Sequence, residues 1–318
     1  MNQMKKVFVA GASGRLGAAL VEELKRRGYP TRSLVRDAGR APERDGRHEV
    51  FAADARRAEA LRGACEGARV VISAMGASLR LGRTTERGAS FRDVDFGANL
   101  NLLEEARRAG VRKFVYVSLH GASEMRGCGY VDAHEEFVEA LRASGLDYTV
   151  IRPTGFFYVF DEVYKMARRG RVALVGDGSA RTNPIHEADA ASECADAVEC
   201  GGHEVSIGGP ETYTRREIAE LAFSALGRPA RFVSVPAPLM RAALQPLRLF
   251  DQRLYDFFDF GVAASTRDLV APPAGRASLR RHFRRLAGVS SGIHSLRASD
   301  PSIHVSRTPD FQIRNPTH

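Results

Sequence analysis

Three glycines near the start of the chain have the spacing of a phosphate-binding turn. Gly11, Gly14 and Gly17 directly follow the apolar run 7–10 and open the amphipathic segment 16–27. Glycine permits the tight turn and lets the backbone approach a pyrophosphate, whose charge then lies at the N-terminus of the following helix. In this strand–turn–helix context the pattern predicts a dinucleotide site rather than a turn without a ligand. The predicted contacts from this loop are Gly11, Ser13, Gly14, Arg15, Leu16 and Gly17.

The end of the second predicted strand, 31–35, distinguishes the two nicotinamide dinucleotides. Sites for NAD(H) place a carboxylate there for the ribose 2′-hydroxyl, whereas sites for NADP(H) tend to use an arginine. The residue at this position is Arg36, with Arg15 as a second phosphate partner, so NADP(H) is favoured over NAD(H). Asp37 leaves NAD(H) open, because a strand end shifted by one residue would bring this carboxylate to the ribose. A role for Arg36 as a solvated loop charge also stays open.

Polar and small residues follow the third and fourth predicted strands as well. Asp54 comes after the third strand, where its carboxylate could accept a hydrogen bond from an adenine amino group. Residues 73–76 come after the fourth strand, where the carboxyl ends of parallel strands open toward a ligand. Either group could instead be a helix cap or a turn. The predicted contacts from these strand ends are Asp54, Ser73, Ala74, Met75 and Gly76.

The elements that must position these residues alternate between short apolar runs and amphipathic segments. The predicted strands are 7–10, 31–35, 49–53, 70–74, 113–118 and 148–151, and the predicted helices are 16–27, 55–65, 91–109 and 133–143. Strands that are apolar on both faces and separated by helices indicate a parallel sheet that is covered on both sides. The predicted fold class is therefore α/β, a doubly wound parallel sheet (Rossmann-like) with a smaller C-terminal substrate lobe.

The pattern loosens after Pro153, which predicts a division of the chain. Residues 1–152 are expected to form the NAD(P)-binding Rossmann domain, and 153–287 a C-terminal lobe with some return to the main domain. Within this lobe, 214–226 has the clearest signals of a helix. Residues 288–318 are rich in Ser, Pro, His and Arg without periodicity, so we expect them to form a disordered tail.

The composition excludes several classes of protein. A chain of 318 residues with 44% hydrophobic and 27% charged residues can bury a sizeable core, so wholesale disorder is excluded. The net charge of +9 suits an anionic cofactor, an anionic membrane surface or nucleic acid, but no nucleic-acid-binding module is recognisable. No apolar run is long enough to span a bilayer, and the four scattered cysteines fit neither a disulfide framework nor a zinc site. We therefore expect a reducing, cytoplasmic location and no metal.

Two C-terminal segments combine apolar and basic residues. The run 276–285 has five arginines around Leu279, Phe283 and Leu286. It could be an amphipathic helix for an anionic membrane, or the last helix of the domain with a solvated face. The segment 240–260 has more large apolar side chains than a small lobe needs. It could line the substrate pocket, form a homodimer contact or lie on a membrane.

A series of motifs in one order resembles a known family. After the glycine loop come Leu-Val-Arg-Asp at 34–37, Val-Val-Ile-Ser-Ala-Met-Gly at 70–76, Val-Arg-Lys-Phe-Val-Tyr-Val-Ser at 111–118 and the segment 141–153. The chain resembles the atypical short-chain dehydrogenase/reductases, specifically the NmrA-like NAD(P)H-binding branch, well over 5–200 and loosely over 201–287. Pro153, which ends the series, is included among the predicted cofactor contacts. The resemblance leaves the substrate open, because the branch includes reductases, isomerases and non-catalytic redox sensors.

Family members that transfer hydride typically use a serine after the fifth strand and a Tyr-x-x-x-Lys on the next helix. The tyrosine donates a proton to the carbonyl, the lysine lowers the tyrosine pKa and binds the nicotinamide ribose, and the serine stabilises the oxyanion. The resemblance assigns these catalytic roles to Ser118 and Tyr130, with His134 in the lysine position. A histidine is charged for only part of the time near neutral pH and has a shorter reach. Either the three residues act together, or they are not a working proton-donor set.

Two functions follow from these patterns. The first is an NADPH-dependent oxidoreductase that reduces a small apolar carbonyl, enone or quinone bound between the two lobes. The second is a non-catalytic NADP(H)-binding redox sensor or assembly factor, which His134 favours. A related isomerase or epimerase is a third. The intact glycine loop and the second lobe favour an enzyme.

Overall fold

The computed structural model describes residues 5–37, 39, 46–77, 90–199 and 202–298. Its strands are β1 (Val7–Ala10), β2 (Thr31–Val35), β3 (His48–Ala52), β4 (Val70–Ser73), β5 (Lys113–Val117), β6 (Asp147–Pro153), β7 (Val172–Val175), β8 (Arg181–Thr182), β9 (Glu204–Ile207), β10 (Tyr213–Thr214) and β11 (Phe232–Val235). Its α-helices are α1 (Arg15–Arg26), α2 (Asn99–Arg108), α3 (Gly129–Arg142), α4 (Phe157–Arg168), α5 (Glu187–Asp196), α6 (Arg215–Ala225), α7 (Ala237–Leu244), α8 (Leu247–Phe250), α9 (Gln252–Ser265) and α10 (Leu279–Ala298).

Seven of the strands form one parallel sheet in the order β3-β2-β1-β4-β5-β6-β9. Strands β1, β4 and β5 are buried along their whole length, as a sheet covered on both faces requires. The strand order reverses between β1 and β4. In open sheets of this kind a ligand binds at that reversal, outside the carboxyl ends of the strands. The predicted Rossmann-like fold is therefore confirmed.

A separate core lies on each face of this sheet. On one face, α1 and α5 pack against the strands, and Leu20 and Leu24 of α1 are fully buried there. On the other face, Leu102 of α2 and Phe137 of α3 are fully buried. Truncating a buried leucine of this kind to alanine costs about 2–5 kcal/mol. The two cores therefore fix the positions of the strand ends. In this kind of fold a ligand binds just outside those ends.

Two predicted helices differ from those of the structure. The segment 55–65 contains only a 3₁₀ turn, Ala58–Leu61, soon followed by Gly63 in the left-handed conformation (φ 80°). A left-handed residue cannot continue a helix, so the prediction of a full helix there is wrong. The helix predicted for 91–109 begins instead with a π-helical segment, Arg92–Ala98, that leads into α2. Single π-helical turns occur often at functional sites.

The elements after β6 build a second core. β7 pairs with β11 and β8 with β10, while α4, α6 and α10 pack together. Leu279 and Phe283 of α10 are buried in this core, whereas its arginines between 280 and 285 are exposed. The membrane alternative for 276–285 is therefore wrong, because its apolar face is already covered. The alternative of a last helix with a solvated face is confirmed.

The C-terminal boundary also differs from the prediction. α10 continues to Ala298, past the predicted boundary at 287/288, and residues 299–318 lie outside the described residues, so the disordered tail stays a prediction. A helix that has already formed gains one hydrogen bond per added residue, and a glycine costs it only about 1 kcal/mol. The division at 152/153 stays a prediction, and β9 and α5, which follow it, pack with the main sheet. No helix in the described part of the chain is long and apolar enough to cross a bilayer.

Candidate functional site

A cleft of about 370 Å³ lies at the reversal of strand order. Its walls come from the glycine loop and from the residues that follow β2, β3, β4 and β6. Eleven of the thirteen predicted cofactor contacts and two of the three predicted catalytic residues line it. The predicted residues outside the lining are Ser73, Ser118 and Pro153.

The glycine loop is fixed by close backbone approaches. Gly11 has φ of 80°, and a Cβ there would lie 2.6 Å from the carbonyl oxygen of Ala74. A Cβ on Gly17 would overlap the carbonyl of Gly11, so the helix can pack this closely on the strand only with glycine. Gly14 differs, because a Cβ there would meet only the Gly11 oxygen, at 3.2 Å, and would otherwise extend into the cleft. The open space beside Gly14 is therefore available for a ligand.

The N-terminus of α1 begins at this open space. Gly14 is its N-cap residue, and among the described residues no side chain caps the helix and none in its first turn is acidic. The first backbone N–H groups of a helix have no partner within it, and together with the helix dipole they attract an anion. The residues present therefore fit a pyrophosphate at this point.

Basic residues surround the end of the cleft beyond β2 and β3. Arg36 is exposed and lines the cleft, and so does Arg56, which the sequence analysis missed. Arg56 donates to Asp54, with Nη2 2.6 Å from Oδ2, and this bond holds the pKa of Asp54 below its ordinary value. Asp37 does not line the cleft, since its carboxylate accepts from the backbone N–H of Gly39 at 2.9 Å. The carboxylate of Asp37, which the sequence analysis considered for the ribose of NAD(H), is thus bonded outside the cleft.

Arg15 lines a different part of the cleft. Its guanidinium lies 5.3 Å from the ring centre of Tyr158, and its Nη1 is 3.5 Å from Asp161 and 3.7 Å from Glu187. These two carboxylates, on α4 and α5, already attract the charge of Arg15. Arg36, by contrast, directly follows β2.

Tyr130 and His134 lie together at the opposite end of the cleft. Helix α3 begins at Gly129, earlier than predicted, so Tyr130 is helical and the i, i+4 spacing puts His134 on the same face. Their ring centres are 4.8 Å apart, and both residues line the cleft. Burial, and then the negative charge of Asp95, raise the pKa of Tyr130 well above its ordinary value. Tyr130 therefore keeps its proton over the ordinary pH range.

His134 is held from behind by two buried side chains. Its Nδ1 is 2.6 Å from the hydroxyl of Tyr116, whose pKa burial raises well above the ordinary value. The two atoms share one hydrogen bond, and its direction depends on which ring nitrogen of His134 carries the proton. Nε2 lies 3.3 Å from Asp95 Oδ1, but the direction is poor and it has no hydrogen-bond partner among the described residues. A buried polar atom without a partner next to a cleft is a candidate contact for a ligand.

Ser118 is not brought together with these two residues. Its hydroxyl donates to Glu135 Oε1 at 3.2 Å and lies 3.3 Å from Nη1 of Arg152. Arg152 and Glu135 form a buried ion pair of 2.6 Å, so the hydroxyl belongs to that network. The neighbouring Val117 lines the cleft instead, because successive side chains of a strand point to opposite sides.

Two predicted cofactor contacts also lie behind the wall of the cleft. Ser73 is buried and donates to Asn99 Oδ1 at 2.5 Å, and its hydroxyl accepts from the backbone N–H of Met75 at 3.3 Å. Pro153 is the buried last residue of β6. The residues that reach the cleft after β6 are Phe156 and Tyr158, whose rings stack with centres 5.6 Å apart. Phe156 is the N-cap residue of α4 and Tyr158 lies in its first turn, so their direction depends on where α4 begins.

Known proteins share this fold and these motifs. Residues 11–200 match the NAD(P)H-binding family. A divinyl chlorophyllide a 8-vinyl-reductase of rice (Oryza sativa subsp. indica) is 31% identical over 260 residues, which are 75% of this chain and 63% of that protein. Subunit 9 of the NADH dehydrogenase [ubiquinone] 1 alpha subcomplex of Arabidopsis thaliana mitochondria is 24% identical, over 75% of this chain and 62% of that protein. The chain thus spans less than two thirds of either relative.

A solved structure gives the same result for the fold. The NADPH-dependent quinone oxidoreductase of Escherichia coli, in complex with NADPH, superposes with a TM-score of 0.69 at 23% identity, over 88% of this chain and 99% of that chain. At this identity the likeness concerns the fold alone. The match to the family model covers more than half of the residues, so this chain belongs to the NAD(P)H-binding family.

Proposed function

We propose that the protein is an NADPH-dependent reductase of a conjugated apolar acceptor, such as a quinone, an enone or a conjugated vinyl group. The observation that carries this proposal is a single cleft joining two different ends. One end has the glycine loop and the arginines that follow β2 and β3, and the other has Tyr130, Phe156 and Tyr158. A dinucleotide with a 2′-phosphate suits the first end, and an apolar acceptor suits the second.

The choice of NADPH rests on Arg36 and Arg56. Both line the cleft beyond β2 and β3, where a 2′-phosphate would need cationic partners, and the carboxylate of Asp37 is bonded to Gly39. When bound, NADPH supplies the hydride. Nε2 of His134 is the buried polar atom without a partner that bonds a hydroxyl of the nicotinamide ribose in this proposal, a part that the family gives to lysine.

The proposal of a conjugated acceptor rests on the hydrogen-bond donors near the site. These donors must stabilise the negative charge that develops on the acceptor during hydride transfer. A lone carbonyl collects that charge on one oxygen and needs preorganised donors there. Ser118, the expected donor, is bonded to Glu135 and Arg152, and no lysine stands at 134. A conjugated acceptor spreads the charge over several atoms, so it depends less on such donors. The names of the rice and Escherichia coli relatives, a vinyl-reductase and a quinone oxidoreductase, support the same class.

Tyr130 supplies the proton in this proposal. Its raised pKa keeps it protonated, so it can give a proton to the reduced acceptor. The acceptor takes up this proton as the hydride arrives, when negative charge develops on it.

A second function, binding of NADP(H) without turnover, is favoured by the position of Ser118 in the Arg152–Glu135 network. The name of the Arabidopsis relative, a subunit of a larger assembly, agrees with it. Purified full-length protein decides between the two functions. Calorimetry with NADPH and NADH measures binding, and the absorbance of NADPH measures turnover with a quinone, an enone and a saturated ketone.

We expect tight binding of NADPH and turnover of the quinone or enone well above that of the saturated ketone. Binding of NADPH without turnover of any acceptor would contradict the reductase proposal and support the redox-sensor function. Absence of binding to either dinucleotide would contradict both functions. Preferred turnover of the saturated ketone would contradict the argument from charge delocalisation.

A further inference from the structure

The two short helices α7 and α8 expose large apolar side chains. Leu239 on α7 is 62% exposed, and Leu249 and Phe250 on α8 are 84% and 86% exposed. These are the three most exposed large apolar side chains in the described part of the chain. Isolated apolar residues on a surface are ordinary, but such a concentration on one segment marks an interaction site.

The same segment is strongly basic. Residues 228–250 contain four arginines and no aspartate or glutamate. All four are exposed; they are Arg228, Arg231, Arg241 and Arg248. The first acidic residue that follows, Asp251, accepts from the backbone N–H of Leu254 and caps α9. The charged residues along 228–250 are thus all basic, whereas α9, on which α7 and α8 pack, carries Asp259 and the buried Asp256.

Helix α10 is also basic, but it differs from α7 and α8 in the burial of its apolar side chains. It has an equally basic sequence, but its Leu279 and Phe283 are buried against α4 and α6. Only a solvated basic face remains there. On α7 and α8 the apolar residues and the basic residues both face solvent, which is the combination that an interfacial membrane helix needs.

We propose that α7 and α8 bind the surface of an anionic lipid bilayer. Leu239, Leu249 and Phe250 enter the boundary between headgroups and acyl chains, and the arginines contact lipid phosphates. A second copy of the chain fits this surface less well, since a twofold interface would bring identical arginine-rich patches together. An anionic bilayer offers both the apolar boundary and the opposite charge.

The position of this surface relative to the cleft adds a consequence. α7 and α8 both pack on α9, and Phe260 of α9 lies 4.6 Å from Tyr130, measured between ring centres. The bilayer contact is therefore one helix away from the aromatic end of the cleft. An apolar acceptor dissolved in the bilayer would have a short route to it. Membrane binding itself does not depend on the proposed reaction.

Co-sedimentation of the full chain with lipid vesicles tests the proposal. One vesicle type contains phosphatidylcholine alone and the other adds phosphatidylglycerol. We expect binding to the anionic vesicles and little to the neutral ones. The pair Leu249→Ser with Phe250→Ser should weaken binding about tenfold or more, because the inserted apolar area is lost. The pair Arg241→Ala with Arg248→Ala should weaken it about tenfold, and salt should weaken the wild type.

The matched control is Arg284→Ala with Arg285→Ala on α10, which removes the same charge from a face without exposed apolar residues. It should change vesicle binding less than about threefold. All substituted side chains are exposed, and NADPH binding by calorimetry checks that each variant is folded. This readout also separates the membrane proposal from the reductase proposal, since either can fail alone.

Three outcomes would overturn the proposal. The first is absence of binding to anionic vesicles, and the second is an equal loss from the α10 pair. The third is a dimer in sedimentation velocity that the Leu249 and Phe250 variant dissociates, without vesicle binding by the wild type. In that case a second copy of the chain, rather than lipid, covers α7 and α8.

Discussion

The two ends of the cleft are built from different parts of the chain. At the dinucleotide end the contacts come from backbone, since Gly11 and Gly17 allow close approach and the N-terminus of α1 offers its N–H groups. At the other end they come from side chains, and Tyr116 and Asp95 decide how His134 is held. A site made of backbone is encoded by glycine spacing. A site made of side chains depends on partners that are distant in sequence. Its residues can therefore change while the dinucleotide end of the cleft stays the same.

The largest expected effect comes from placing a charge in the backbone site. Gly14→Asp should weaken NADPH binding by at least about 1,000-fold, because like charges that are brought together cost several kcal/mol. The folded protein should lose little, since aspartate is a good N-cap residue and suits the helix dipole. We expect the free energy of unfolding to stay within about 1 kcal/mol of the wild type. Calorimetry and urea unfolding measure the two quantities.

Gly202→Asp is the control for this prediction. It adds the same charge at an exposed glycine where a Cβ would meet no atom within 4 Å. It should leave NADPH binding unchanged. If Gly14→Asp bound NADPH as well as this control does, the backbone would not be the source of the affinity, and the comparison between the two ends would lose its basis.

Tyr130→Phe tests the side-chain end. Loss of the proton donor should lower kcat about 100-fold, the ordinary contribution of a general acid, without changing NADPH affinity. Tyr158→Phe removes a hydroxyl from the same cleft and should change kcat less than about threefold, because its ring stacks on Phe156. Equal losses from the two variants would show that Tyr130 is not the donor.

The pH profile of the wild type sharpens this assignment. A tyrosine donor is lost as the pH rises above its pKa, and the pKa of Tyr130 lies well above its ordinary value. Turnover should therefore not fall on the alkaline side until well above about pH 10, the ordinary tyrosine value. In Tyr130→Phe, any remaining turnover should lack that late alkaline limb. A wild-type decline centred near neutral pH would assign the proton to another group.

Arg36→Ala tests whether the dinucleotide end also depends on a side chain. An ionic hydrogen bond to a phosphate contributes about 1.5–3 kcal/mol, so NADPH binding should weaken about 10- to 100-fold. NADH, which lacks the 2′-phosphate, should lose less than about threefold. Arg57→Ala is the control, because Arg57 is exposed nearby, pairs with Glu59 and does not line the cleft. Equal losses for the two dinucleotides would contradict the preference for NADPH.

The sequence predicted the backbone end of the cleft and missed parts of the other end for one physical reason. The strand bounds and the glycine loop follow from local patterns, so β1, β4 and the turn at Gly11 were foreseeable. The direction of a single side chain after a strand depends on which partner it finds. Ser118 finds Glu135 and Arg152, and Ser73 finds Asn99, none of which is near in sequence.

The same distinction applies to the two basic apolar segments. The sequence of α10 suggests a membrane helix as strongly as that of α7 and α8 does. Only the second core, which covers Leu279 and Phe283, separates them. Arg56 was missed for a related reason, since the predicted helix 55–65 would have buried or redirected it, whereas the structure leaves it beside Asp54.

Ser118→Ala has the smallest expected effect on catalysis. In relatives with the serine–tyrosine–lysine set, loss of the serine would remove an oxyanion donor, at a cost of about 100- to 1,000-fold in kcat. Here the hydroxyl serves the Arg152–Glu135 pair, so we expect kcat to change less than about threefold. The unfolding free energy should fall by about 1–3 kcal/mol, because a bond to a charged group is lost.

Ser73→Ala is the matched case, since Ser73 is also buried behind the end of a strand and bonded to a distant side chain. It too should lower stability more than kcat. If Ser118→Ala alone lowered kcat about 100-fold while its stability stayed unchanged, the hydroxyl would leave Glu135 during turnover and reach the acceptor. The side-chain end would then follow the family pattern despite His134, and a lone carbonyl would become as good an acceptor as a conjugated one.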